Sequence, residues 1–198
     1  MRWVYTIAAT ILTAALVFGC GGSAGDSLVL QFQNFAAPLN SQFDSVNQTS
    51  AEVDVASHVC PSGLGEPIEE THAVAVFVNR EGADIVLDTI SINNQVAGAA
   101  PVTRHVSSLV IGGRCGGNPS QQCALDGDCG LGVCQHSETQ VSFLLFDFET
   151  KATVSTGTFN IPITFSGIDS RNARFTVNTS MTVTFEDFDH CPSTGGGQ

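Results

Sequence analysis

The chain is 198 residues long, with 19 acidic against 7 basic residues and a formal net charge of −12. So acidic a surface repels polyanions, which excludes nucleic acid as a partner class and excludes docking to an anionic membrane through a basic patch. A hydrophobic content of 42% excludes wholesale disorder and suits one domain with a core of its own.

Met1-Arg2 supplies a short positive start, and Trp3 to Phe18 follows without a charge. An apolar run of this length, giving way at once to Gly-Ser sequence, reads as a signal peptide over residues 1–19 rather than a spanning helix. Its end, Val17-Phe18-Gly19-Cys20, resembles the lipobox of bacterial lipoproteins. The resemblance implies diacylglycerol on the Cys20 thiol, cleavage between Gly19 and Cys20, and acylation of the new amine. The partner so implied is a membrane, held through a lipid anchor, because several acyl chains bind stably where one does not. Gly21 in place of Asp after the cysteine resembles an outer-membrane address in the cell envelope. Loss of the leader removes Arg2 and leaves 6 basic against 19 acidic residues, a formal charge of −13. It also removes Trp3 and Tyr5, the chain's one Trp and one Tyr. Residues 20–27, rich in Gly and Ser, form a flexible lipidated tether.

From residue 28 the pattern is that of strands, with no convincing helical period. Leu28–Phe32, Val53–Val55, Val74–Val78 and Ile85–Ile92 come first; within the last the apolar phase shifts between Leu87 and Ile90, which a bulge near Asp88-Thr89 explains. Val102–Ile111 and Val141–Phe148 follow. Phe159, Ile161, Ile163 and Phe165 alternate strictly, with Pro162 between them, so this strand is expected at an edge or a bulge. After a turn over Gly167 to Asn172, Phe175, Val177, Thr179, Met181, Val183 and Phe185 face one way and Thr176, Asn178, Ser180, Thr182 and Thr184 the other. Seven to nine such strands without helices indicate an all-β, antiparallel sandwich over residues 28–191, with 192–198 as a flexible tail. The stretch Thr158-Phe-Asn-Ile-Pro-Ile-Thr-Phe-Ser-Gly-Ile-Asp, with Val183-Thr-Phe-Glu-Asp-Phe-Asp after it, resembles the immunoglobulin-like domains of bacterial surface lipoproteins. That resemblance implies an immunoglobulin-like sandwich serving as a spacer, adhesin part or assembly module.

Residues 112–136 interrupt the strands with four cysteines among glycines, a disulfide-rich loop insertion that needs covalent closure because it cannot make a core. With Cys20 lipidated, six of the seven cysteines remain: Cys60, Cys115, Cys123, Cys129, Cys134 and Cys191. They suffice for three disulfides in an oxidising compartment. Three pairings are open to the four in the loop, whose spacing resembles the small Cys-rich inserts of exported bacterial proteins. By elimination, Cys60 and Cys191 become partners for each other, stapling the last strand to the first third of the domain. Intervals of seven, five and four residues are too wide for the paired thiolates of a zinc site. Asp126 and Asp128 are the candidate ligands for calcium, although the EF-hand pattern is absent. His58 and His190 stand beside Cys60 and Cys191, but oxidised thiols remove the best ligands from a metal site there.

No nucleophile elbow, H-E-x-x-H, phosphate-binding glycine loop, dinucleotide fingerprint, C-x-x-C or C-x-x-C-H occurs. Glu66, Glu69, Glu70 and His72 cluster around Pro67 and read as a solvated acidic loop. The expectation is therefore a non-enzymatic lipoprotein of the cell envelope, a structural or protein-interaction module that meets an envelope protein or another copy of itself. Its rivals are a calcium- or small-ligand-binding module and a secreted hydrolase.

Overall fold

The computed structural model describes residues 30–39 and 41–191. The leader 1–19, Cys20 and the tether 20–27, the first two residues of the strand expected from Leu28, and the tail 192–198 lie outside the described residues. In chain order the strands are β1 (Leu30–Ala36), β2 (Ser45–Val46), β3 (Ser50–Asp54), β4 (Thr71–Asn79), β5 (Ile85–Ile92) and β6 (Val102–Val110). They continue with β7 (Arg114–Cys115), β8 (Asn118–Gln122), β9 (Cys134–Gln135), β10 (Glu138–Phe146), β11 (Gly157–Asp169) and β12 (Arg174–Glu186). One short helix, α1 (Phe148–Lys151), joins β10 to β11.

The fold is all-β and sandwich-like. A three-stranded sheet in the order β1-β4-β10 and a six-stranded sheet in the order β2-β3-β12-β11-β5-β6 share one core. The Cys-rich insertion makes a third, small sheet, β8-β7-β9. All pairings are antiparallel except one: β3 lies parallel to β12, from Ser50 opposite Thr182 to Asp54 opposite Glu186.

Strict alternation explains the longest pair. β11 and β12 stay in register from Gly157 opposite Phe185 to Ile168 opposite Arg174. Ile161, Ile163 and Phe165 on one strand, and Met181, Val183 and Phe185 on the other, point inward and are fully buried. Phe165 meets Phe77 of β4 edge-on at 5.0 Å and Phe143 of β10 at 5.7 Å, so aromatic packing ties the two sheets together. The outward positions, Thr158 to Ser166 on β11 and Thr176 to Thr184 on β12, carry no charge. Gly167 is required by a close approach: a Cβ there would lie 2.2 Å from the Val86 carbonyl oxygen and 2.6 Å from the Phe175 ring.

Several expectations are corrected. β11 is not an edge strand, since β12 and β5 flank it. Pairing with β5 begins only at Ile163, so Pro162 sits one residue beyond it, and its carbonyl accepts the Asn93 amide at 2.9 Å. The missing N–H of Pro162 therefore costs no ladder bond. The register does shift between Leu87 and Thr89, leaving Asp88 unpaired in both ladders of β5. The strand expected to reach Phe148 stops at Phe146, because Asp147 caps α1 by accepting the Thr150 amide at 2.7 Å. A 3-10 turn at Asn94–Ala97 also went unforeseen, while a second, Asp126–Cys129, makes Asp126-Gly127-Asp128 a solvated turn. The turn expected from Gly167 begins later: β11 runs to Asp169, whose carboxylate accepts the Arg171 and Ala173 amides at 2.8 Å each.

Candidate functional site

Three groups of chemically active side chains stand out, and each begins with a local reason. The first is the Cys-rich lobe. Cys115 bonds Cys129 and Cys123 bonds Cys134, so the two bridges interlock in sequence order. The lobe is fastened to the body by Arg114, whose guanidinium donates to both oxygens of Asp84 at 2.6 and 2.8 Å. Asp84 also accepts the Gly112 amide at 2.9 Å. Asp126 and Asp128 are exposed and bonded to their own loop: Asp126 accepts the Cys134 amide, and Asp128 accepts those of Ala124 and Leu125. The amides of Leu125 and Ala124 draw the Asp128 carboxyl below its ordinary value. Leu125, Leu131 and Val133 project from the lobe into solvent.

The second group surrounds Lys151, the chain's one lysine. α1 ends here, and its lysine points into the core at 2% exposure. Its ammonium donates to Asp44 Oδ2 and to the Glu69 carbonyl, each at 2.6 Å. Thr71 donates its hydroxyl to the same Asp44 oxygen, and the Asp54 amide donates to Asp44 Oδ1 at 2.9 Å. Beside this pair, the Glu69 carboxylate gathers the amides of Gln42, Phe43 and Asp44 and the Ser41 hydroxyl. Burial pushes the Glu69 carboxyl up, but those donors together outweigh it and hold the group below its ordinary value. Glu70 and His72 face away, lining a groove of about 630 Å³ with Ala37, Leu39, Val74 and Gln140.

The third group lies where the chain returns after β12. Cys60 and Cys191 are joined, with Cα atoms 5.5 Å apart. This brings His58 and Glu66 from the loop before β4 against Asp187, Asp189 and His190. His58 Nδ1 is 2.8 Å from Glu66 Oε2 and 3.6 Å from Asp187 Oδ1. The His190 amide donates to Glu66 Oε1, and the Cys191 amide donates to Asp189 Oδ1 at 2.9 Å. His190 Nε2 stands 3.8 Å from Asp54 Oδ2. Burial is the main reason that the Asp54 carboxyl is raised above its ordinary value; the nearby Glu66 charge adds to it.

The acidic cluster expected around Pro67 is thus divided. Glu66 joins the histidines, Glu69 pins the 41–44 segment, and Glu69, Glu70 and His72 together line the open groove. Sequence reading missed Asp44, Asp54, Asp189 and Lys151. One signal was present: His58-Val59-Cys60 and Asp189-His190-Cys191 both set a histidine close before a cysteine, so pairing the cysteines converges the histidines. No family model, curated protein or solved structure matches the chain.

Proposed function

We propose that the chain is an exported, lipid-anchored and non-catalytic module that binds a protein partner of the cell envelope through its Cys-rich lobe. The observation that carries this reading is the placement of Leu125, Leu131 and Val133, exposed at 72%, 108% and 60%, on a lobe closed by two disulfides. Exposed aliphatic groups on a segment without its own core favour a protein contact. A covalently closed loop loses little further conformational entropy on binding, so more of the contact energy remains as affinity. The lipobox at Val17 to Cys20 supplies the anchor, and three disulfides agree with an oxidising compartment outside the cytoplasm. The two packed sheets agree with an immunoglobulin-like module of the spacer or assembly kind.

Cross-linking in intact producing cells tests this, using a reagent that activates carboxylates, because the chain has one lysine and it is buried. Reproducible links from the lobe to one envelope protein, or to a second copy, are expected. Leu131→Asp is expected to abolish them without changing the melting temperature. Links confined to single copies of the chain would overturn the reading.

A further inference from the structure

We propose that His58, Glu66 and Asp189 form a binding site for a divalent ion of the zinc class. One ligand atom from each of these residues lies within 4.8 Å of the others. The closest approach, 2.8 Å between His58 Nδ1 and Glu66 Oε2, is made without hydrogen-bond alignment, and Glu66 Oε2 has no hydrogen-bond partner among the described residues. Ligands about 2.0–2.1 Å from a tetrahedral zinc ion stand about 3.3 Å apart, so a small adjustment seats both on one ion.

Two further observations point to a cation at this corner. The Glu66 side chain is fully buried, and a buried carboxylate needs a compensating charge or a full set of donors. Immediately behind it, Asp54 Oδ2 and His190 Nε2 face each other at 3.8 Å and are also buried without hydrogen-bond partners among the described residues. Four carboxylates, of Asp54, Glu66, Asp187 and Asp189, therefore meet two imidazoles, and among the described residues no Lys or Arg is ion-paired with them. A divalent ion would neutralise part of that charge.

The donor set selects the metal class. An imidazole nitrogen with two carboxylates suits zinc and its first-row neighbours, whereas calcium takes six to eight oxygens. Cys191 belongs to the cluster by position only, since its sulfur is held in the bridge to Cys60 and offers no thiolate. The ligands are held in place by the backbone: Glu66 spends its other oxygen on the His190 amide, and Asp189 Oδ1 accepts the Cys191 amide. His58 and Asp189 are exposed, which gives an ion access and leaves a fourth position to water. The bound ion would clasp the segment after β12 to the loop before β4, beside the disulfide that brings the two together.

The experiment uses untagged, disulfide-bonded protein, stripped with a chelator and titrated with zinc chloride or calcium chloride at neutral pH. The expected result is one zinc per chain and a rise in melting temperature of several degrees, with no rise in calcium. His58→Ala and Asp189→Asn, both at solvent-facing positions, should each weaken zinc binding about tenfold or more, and each should shrink the rise in melting temperature that zinc gives over its own metal-free form. His105→Ala, on the distant β6, should bind as the parent does. Absence of stoichiometric zinc, an equal response to calcium, or undiminished binding in a His58→Ala/Asp189→Asn double variant would overturn the proposal.

Discussion

At the scale of single residues, a charged pair lies buried beside the core. Lys151 and Asp44 are each 1% exposed at the side chain. Their mutual attraction in a poorly screened interior offsets desolvation only while both are present and fully hydrogen-bonded. Lys151→Met should therefore strand the Asp44 carboxylate and destabilise the protein by about 3–5 kcal/mol, read from urea denaturation. Pairing it with Asp44→Asn should recover much of the loss. A double variant no more stable than Lys151→Met would show that the lysine acts through packing rather than charge. Nothing in the sequence near Lys151 announces this role, because burial of a lysine is decided by what the fold brings opposite it, here a residue 107 positions away.

At the scale of elements, the helix α1 rests on its cap. Asp147 accepts the Thr150 amide at 2.7 Å and the Arg104 guanidinium at 2.7 Å. The Arg104 bond, then Thr150, hold its carboxyl down to about 2 against an ordinary 3.8. A carboxylate depressed in the folded state stabilises the fold above its unfolded pKa, and that contribution is lost as pH falls through the folded value. Asp147→Asn keeps a cap but loses the ion pair. Its melting temperature should lie below the parent's at pH 6, and the gap should close between about pH 4 and pH 2. A gap that stays constant with pH would assign the loss to packing. The strands with the strictest alternation were legible: β5 spans the expected Ile85–Ile92, with the bulge at Asp88, and β11 and β12 follow their alternation, whereas β1 and β3 were placed only in part and β2 was missed. What failed was termination. Phe146 and Phe148 continue an apolar run, so the stop imposed by the Asp147 cap is hidden in it. Pro162 misled for a related reason: alternation tells which face a residue takes, not where a neighbouring strand ends.

At the scale of the molecule, the covalent frame divides the work. Two bridges span 14 and 11 residues and shape the lobe alone, whereas Cys60–Cys191 spans 131 and ties the end of the described chain to its first third. Closing so long a loop restricts the unfolded chain most, so Cys60→Ser/Cys191→Ser should cost about 3–5 kcal/mol. Denaturation at fixed pH in the absence of zinc measures it; a loss under about 1 kcal/mol would mean that the C-terminal segment is held mainly by its other contacts. Elimination was enough to suggest this partnership, but the order of pairing in the lobe was not in the sequence, since spacing alone ranks none of the three arrangements. The third group of side chains was legible only in its two histidines: Asp54 and Glu66 join them from positions up to 137 residues from Cys191, brought there by the Cys60–Cys191 bridge and by β3 and β12 running side by side in the same direction.

The burial of the one lysine has a practical reach beyond stability. Acylating reagents, aldehydes and reducing sugars all seek a neutral, accessible side-chain amine, and the folded body offers none. Its reaction with them can proceed only during transient openings that carry Lys151 to solvent. The yield of Lys151 adduct against exposure time is then a clock for opening of the core, readable by mass spectrometry in whole envelopes where no optical probe of this protein would be visible.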